Sequence, residues 1–128
     1  ATQLRFNILR DAYRFIGTRY RWGGTSPRGF DCSGFVQYVL NMNGIAVART
    51  ARDMQLELPS ISPSELLPGD LVFFDRPDHV GIYIGQGRFI HASSGGKQVT
   101  ITPLDKPSYQ RRFIGAARIL SDAEASSL

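Results

Sequence analysis

The side chains best suited to nucleophilic chemistry in this chain are its one cysteine and its two histidines. Cys32 lies in residues 30–35, a segment typical of the start of a helix, and His79 and His91 lie in a later half with strand-like patterning. A thiol is mostly protonated at neutral pH, and a helix N-terminus together with an adjacent imidazole stabilises the thiolate. A second polar group can fix the tautomer of that imidazole. The three residues are therefore predicted to be nucleophile, base and orienting group, in that order.

The first half of the chain is predicted to position Cys32. Residues 20–29 are rich in glycine and proline and predict a shaped loop, after which Asp31 can cap a second helix that ends at Asn43 and Gly44. Cys32 then lies in the first turn of that helix. A first amphipathic helix is predicted before Gly17 from apolar residues at helical spacing, namely Leu4, Ile8, Ala12 and Phe15 or Ile16.

The second half is predicted to be a sheet. A short third helix over residues 50–56 is followed by a loop and by the turn at residues 68–70, after which the hydrophobic period changes to two. Helices followed by strands predict an α+β fold with an antiparallel sheet, and residues 121–128 are predicted to be a frayed tail. Strands are expected over residues 71–75, 79–84, 88–93, 98–102 and 112–120.

Hairpin geometry predicts how the two histidines relate. If residues 85–87 close a hairpin with an odd number of loop residues, His79 and His91 face the same side, with roughly 5 to 8 Å between their Cβ atoms. A two-residue loop would place them on opposite faces. If the helix of Cys32 packs on the shared face, its backbone N–H groups can stabilise a developing oxyanion, and the Tyr20 hydroxyl could assist.

Three other interpretations of these residues stay open. Cys32 could be a structural thiol, although a first-turn position between Asp31 and Ser33 is a poor apolar site, and the histidines could be ordinary strand residues. A zinc site is disfavoured because structural zinc sites show closely spaced ligand pairs, which this sequence lacks. We expect no metal and no cofactor. Tyr20 could pack in its loop, and Asp31 could be only a cap.

Composition limits the class of protein. The 128 residues predict a single domain over 1–128, and no apolar run is long enough to cross a bilayer. One cysteine cannot form an internal disulfide. The net charge of +4 comes from dispersed arginines, and without a phosphate-binding loop or an aromatic stripe we expect no nucleic-acid partner. Since the chain begins without methionine, we expect that an export signal or linker has been removed.

Five segments form a recognisable ordered set: residues 20–24 (YRWGG), 31–35 (DCSGF), 68–74 (PGDLVFF), 79–85 (HVGIYIG) and 89–92 (FIHA). In order and approximate spacing, these segments resemble the NlpC-type bacterial cell-wall cysteine peptidases. The resemblance implies a papain-like α+β fold, with N-terminal helices packed on a C-terminal antiparallel sheet of about five to six strands. It implies endopeptidase action on peptidoglycan stem peptides, at D-glutamyl-diaminopimelate bonds or at cross-links, without a metal.

The family pattern agrees with the catalytic roles reached from chemistry. By resemblance, Cys32 is the nucleophile, His79 the base, His91 the third polar residue and Tyr20 the active-site tyrosine. An amidase or acyltransferase of the same fold, or a wall-binding module without activity, is the alternative. We expect a monomer of the cell envelope, in the periplasm, on the outer membrane as a lipoprotein or secreted, with peripheral or lipid-anchored attachment through the removed segment.

Substrate recognition is also carried over by resemblance. Asp31, Ser33 and Arg49 resemble positions that, in some members, line the stem-peptide pocket and recognise the amine of a terminal L-Ala. Ala51 departs from those members, which carry a serine two residues after the arginine. The departure weakens the expectation of strict recognition of a free L-Ala end.

Overall fold

The computed structural model describes residues 2–119 as helices packed against both faces of an antiparallel sheet. No helix within these residues is long and apolar enough to cross a membrane. The predicted α+β, papain-like architecture is confirmed. The helices are α1 (Thr2–Tyr13), α2 (Cys32–Met42), α3 (Ala51–Glu57) and α4 (Pro107–Gln110), and the strands are β1 (Thr25–Ser26), β2 (Gly29–Phe30), β3 (Ser60–Ile61), β4 (Leu71–Phe74), β5 (His79–Gly85), β6 (Arg88–Ser93), β7 (Gln98–Pro103) and β8 (Phe113–Ala117).

The main sheet has six strands in the order β3-β8-β4-β5-β6-β7, with every neighbouring pair antiparallel. Helix α2 packs against β5 and β6 near the middle of this sheet. Its apolar face is fully buried and consists of Phe35, Val36, Val39 and Leu40. Burial of a side chain of this size stabilises the fold by about 1.5–3 kcal/mol, so α2 is held firmly against the strands that carry the histidines.

The start and end of α2 follow the prediction. The Asp31 carboxylate caps the helix by accepting a hydrogen bond from the Gly34 backbone N–H at 2.6 Å. Asn43 is the C-cap, and Gly44 follows with a φ of +75°, a left-handed conformation that favours glycine. Cys32 is accordingly the first residue of the helix.

Helix α1 is shorter than predicted, since it ends at Tyr13 rather than just before Gly17. Its last turn tightens, with the Phe15 N–H bonded to the Ala12 carbonyl, and the Gly17 N–H instead donates to the Val99 carbonyl of β7 at 3.0 Å. The tightened turn lets the Phe15 ring pack edge-on against Phe30 and Tyr38. The aromatic contacts of Phe15 and the hydrogen bond from Gly17 to β7 together stabilise this ending more than another helical turn would.

Residues 20–29 form a loop that is more ordered than predicted, because it contains the short hairpin β1–β2. The Tyr20 N–H donates to the Lys97 carbonyl at 2.8 Å, and the Asp31 N–H donates to the Gly24 carbonyl at 2.9 Å. A Cβ at Gly24 would overlap the backbone carbonyl of Gly29, so only glycine permits this close approach. The loop therefore holds both Tyr20 and the start of α2.

The other differences are shifted element ends and two short elements that were not predicted. The predicted five strands are all present, and the last of them covers Phe113–Ala117 instead of residues 112–120. Strand β3 and helix α4 were not predicted, because two to four residues are too few for a hydrophobic period to show. The predicted tail over residues 121–128 lies outside the described residues.

Gly24→Ala is expected to destabilise the protein by about 1–3 kcal/mol, because the added methyl group must push apart two backbone segments. Gly95→Ala is the matched control, since among the described residues a Cβ at that position meets only the Ser93 Oγ, at 4.0 Å. Urea unfolding of both variants measures the difference. Equal free energies of unfolding for the two variants would show that the close packing of this loop is not needed for the fold.

Candidate active site

His79 and His91 lie on one face of the sheet and form a direct hydrogen bond. The register of β5 and β6 pairs Ile82 with Ile90, and its continuation places His91 opposite Gly81, one diagonal from His79. The His79 Nε2 and His91 Nδ1 atoms are 2.7 Å apart. The predicted histidine pair on a shared face is therefore confirmed.

The hairpin reaches this register by an unexpected route. Gly85 pairs with Arg88, so the loop has two residues, Gln86 and Gly87, and both have positive φ values of 55° and 72°. A two-residue loop alone would have placed the histidines on opposite faces. An irregularity in the register between Tyr83 and Gly85 restores the pairing that brings them together.

A third buried residue, Thr102 of β7, extends the histidine pair into a chain of hydrogen bonds. The His91 Nε2 and Thr102 Oγ1 atoms are 2.8 Å apart. His79, His91 and Thr102 are all buried, with His91 fully so. Thr102 was not predicted as a site residue, because one threonine in a strand carries no signal until the register of β6 and β7 is known.

The hydrogen bonds favour one set of tautomers, which we assign from the network. A base needs one nitrogen free to accept a proton, and the Nε2 atom of His79 is engaged with His91. His79 then donates its Nε2–H to the His91 Nδ1, and His91 donates its own Nε2–H to the Thr102 hydroxyl. This arrangement leaves the Nδ1 atom of His79 as the proton acceptor.

Both imidazoles are neutral at pH 7. Burial lowers the pKa of His79 to about 4, with a smaller contribution from the positive charge of Arg112. Burial also lowers the pKa of His91 to about 2, and the charges of His79, Lys106 and Arg112 lower it further. Both rings are therefore neutral in the free site, and burial disfavours the imidazolium form of each.

Cys32 lies beside the start of β5, because the backbone N–H of Val80, next to His79 in the chain, is within hydrogen-bonding reach of its sulfur. Burial raises the pKa of the Cys32 thiol, and the nearby Asp31 carboxylate raises it as well. The N–H groups of Val80, Ser33 and Cys32 itself lower it, but by less than burial and Asp31 together raise it. The expectation of a lowered thiol pKa is wrong for the free site, where the thiol is protonated at neutral pH.

Tyr20 is half-buried in the ordered loop, and its hydroxyl lies near the thiol. Burial raises the pKa of Tyr20, and the nearby charges of Cys32 and Asp31 raise it further. The hydroxyl consequently keeps its proton and can act as a hydrogen-bond donor beside the nucleophile. The structure brings Tyr20 to the position where an assisting donor was predicted.

Asp31, Ser33 and Arg49 form a connected polar cluster at the start of α2. Arg49 donates from Nη2 to the Asp31 Oδ2 at 2.8 Å, and from Nη1 to the Asp31 Oδ1 at 3.2 Å and to the Ser33 Oγ at 2.7 Å. The Asp31 hydrogen bond raises the pKa of the Arg49 guanidinium. The three predicted recognition residues thus lie together, and two of them, Asp31 and Ser33, flank the nucleophile in the chain.

The potential metal ligands of the described residues are not arranged as a metal site. Within residues 2–119 no group of three or more histidine, cysteine, aspartate or glutamate side chains is arranged to hold a metal ion. A zinc site on Cys32, His79 and His91 would also have to break the bond between the two histidines. These observations favour a thiol and imidazole site over a zinc site.

Comparisons with known proteins agree with the site geometry. A family model described as "NlpC/P60 family" matches residues 17–118. Murein DD-endopeptidase MepH of Escherichia coli is 42% identical over 94% of this chain and 47% of its own length. A probable endopeptidase NlpC homolog of Haemophilus influenzae is 44% identical over 83% of this chain and 58% of its own. The chain spans about half the length of these curated relatives.

The fold is shared with solved structures. That of the peptidoglycan hydrolase RipB from Mycobacterium tuberculosis superposes with a TM-score of 0.82 at 28% identity, covering 94% of this chain and 66% of that chain.

The rate of Cys32 alkylation by iodoacetamide is expected to rise about tenfold per pH unit across pH 6–8 without a plateau, because only the thiolate reacts and burial raises the thiol pKa. The same chain unfolded in urea is the matched control. Its alkylation rate should begin to level off at a lower pH than the rate of the folded chain, because unfolding removes the burial that raises the thiol pKa. A folded-state rate that is already constant below pH 7 would contradict a protonated thiol in the free site.

Proposed function

The chain belongs to the NlpC/P60 family of cysteine peptidases, and from this premise we propose that it is a peptidoglycan endopeptidase that uses Cys32 as its nucleophile. The observation that carries the proposal is the buried chain of His79, His91 and Thr102, which begins next to Val80, the residue whose backbone N–H reaches the Cys32 sulfur. It supplies a neutral base with one free nitrogen next to a protonated thiol. The names of the relatives, which include murein and peptidoglycan endopeptidases, supply the substrate class.

In the first step, the Cys32 thiol transfers its proton to the Nδ1 atom of His79 as the sulfur attacks the amide carbonyl carbon. A C–S bond forms and the carbonyl electrons move to oxygen. Backbone N–H groups at the start of α2 and the Tyr20 hydroxyl are suited to stabilise this oxyanion. Because burial disfavours both ions in the free site, we expect transfer to occur when substrate is bound.

In the second step, the His79 imidazolium returns the proton to the leaving nitrogen, and the C–N bond breaks to leave an acyl-enzyme. Water then attacks the thioester while His79 takes a proton from it, and the Cys32 sulfur leaves and is reprotonated. Throughout, the Nε2–H of His79 stays bonded to neutral His91, which Thr102 orients in turn. His91 and Thr102 are positioning residues in this scheme.

We assign the cluster of Asp31, Ser33 and Arg49 to the acyl side of the scissile bond. Asp31 can attract an amine, but two of its contacts are already taken by Arg49. Ala51 is buried and supplies no hydroxyl for a further contact. We propose that the site accepts stem peptides in intact wall, where the L-Ala amine is not free, as well as released fragments.

The chain is proposed to act as one monomeric domain in the cell envelope, where peptidoglycan lies. Relatives named as cell-wall endopeptidases support an extracytoplasmic location. The dispersed positive charge of the chain favours association with an anionic wall polymer.

Cys32→Ala is expected to lower cleavage of purified peptidoglycan more than about a thousandfold, since the nucleophile is lost. Mass spectrometry of the soluble products, with circular dichroism to show that the variant is folded, makes the measurement. Ser94→Ala, on an exposed turn, is the control that keeps full activity.

The masses of the products also distinguish an endopeptidase from an amidase. New peptide termini within the stem indicate an endopeptidase, whereas release of whole stems from the sugar indicates an amidase. Wall hydrolysis that persists at full rate in Cys32→Ala would refute the proposed nucleophile.

A further inference from the structure

His79 is the first residue of β5 and follows a mostly exposed connection, residues 75–78, that joins β4 to β5. Phe74 and His79 are the last residues to pair in the register of these two strands. A residue at the end of a strand is held less firmly than one in the middle, because fewer strand hydrogen bonds fix its backbone. The position of His79 therefore depends on what holds the connection.

Arg112, between α4 and β8, holds this connection through its side chain and its backbone. Its Nε donates to the Asp75 carbonyl at 2.9 Å, and its Nη2 donates to the Pro77 carbonyl at 3.1 Å. The Asp75 N–H in turn donates to the Arg112 carbonyl at 3.0 Å. A guanidinium presents its N–H donors in a fixed planar fork, so one side chain can bind two carbonyl groups at once.

The same guanidinium contacts the aromatic cover of the histidine pair. Its central carbon lies 5.3 Å from the centroid of the Tyr109 ring, within the range of a cation–π contact. Tyr109 packs edge-on to the His91 ring at 5.3 Å, and its ring centroid lies 6.1 Å from that of His79. Tyr109 belongs to α4, and a helix of four residues is not stable on its own. The contact with Arg112 therefore helps to keep Tyr109 over the histidines.

Arg112 lies near the histidines but outside the cleft that borders His79. Burial is the main cause of the low pKa of each imidazole, and the positive charge of Arg112 is a further cause for both. The cleft has a volume of about 490 Å³, and its lining does not include Arg112. A substitution of Arg112 should therefore change the base rather than the binding of substrate.

We propose that Arg112 is a positioning residue, which holds the His79 imidazole where its Nδ1 atom can take the proton of the Cys32 thiol. Arg112 does so by fixing the connection before β5 and the ring of Tyr109 together. This inference rests on the proposed function, because that function makes His79 the base.

The test compares cleavage of soluble peptidoglycan fragments by the native chain, Arg112→Gln and Arg112→Lys. Both substitutions remove the planar fork, whereas lysine keeps the charge. Each variant should have a kcat about tenfold or more below that of the native chain, because a small displacement of a base is costly, and a KM within about twofold. We expect both variants to fold, since the backbone bond from Asp75 to Arg112 remains, and circular dichroism checks this.

Arg111→Gln is the matched control. It removes the same charge from the neighbouring, exposed residue, and within residues 2–119 no hydrogen bond or ion pair engages the Arg111 guanidinium. This variant should keep the native kcat. The inference is overturned if Arg112→Lys is as active as the native chain, if the Arg112 variants change KM instead of kcat, or if Arg111→Gln loses as much activity as Arg112→Gln.

A measurement without substrate separates this inference from the proposed function. Nitrogen-15 NMR can follow exchange of the His79 Nε2 proton with water, and this exchange should be about tenfold or more faster in Arg112→Gln than in Arg111→Gln, because the cover of the histidine pair opens more often. If the native chain cleaves neither fragments nor intact wall, the peptidase proposal fails. The exchange rates still decide the role of Arg112 in that case, and equal rates in the two variants would refute it.

Discussion

The hydrogen bond between His79 and His91 is the interaction on which the candidate site depends. It joins two imidazoles on adjacent strands at 2.7 Å, in a place where both are buried. Because burial favours the neutral forms and Thr102 occupies the far nitrogen of His91, the bond fixes a neutral base with one free nitrogen. A neutral third residue orients the base here, where other nucleophilic sites use a carboxylate.

The surrounding scaffold makes this bond geometrically possible. A Cβ at Gly81 would lie 2.7 Å from the Phe89 ring and 3.1 Å from the His91 Cβ. Glycine is therefore needed at this position of β5, opposite His91. Phe89 packs against the His91 ring with centroids 4.3 Å apart, and Tyr109 packs edge-on to it at 5.3 Å. These rings exclude water from the histidine pair, and exclusion of water keeps the pKa of each imidazole low.

The sequence predicted the parts of the site that depend on local pattern. The Asp31 cap and the first-turn position of Cys32 follow from neighbouring residues alone, whereas the shared face of His79 and His91 also depends on the register irregularity between Tyr83 and Gly85. Thr102 and Tyr109 could not be predicted, because their roles depend on strand register and on a four-residue helix. The raised pKa of Cys32 was missed for a related reason: the depth of burial is a property of the packed structure, whereas a helix N-terminus can be inferred from sequence.

The protonation state of the histidine pair is the most direct test of this account. Nitrogen-15 NMR of the imidazole side chains at pH 7 should show both rings neutral, with Nε2 protonated and Nδ1 unprotonated, and neither ring should gain a second proton as the pH falls to 5. A doubly protonated His79 at pH 7 would contradict it. That result would mean that the free site holds a thiolate and imidazolium pair and that burial does not control its chemistry.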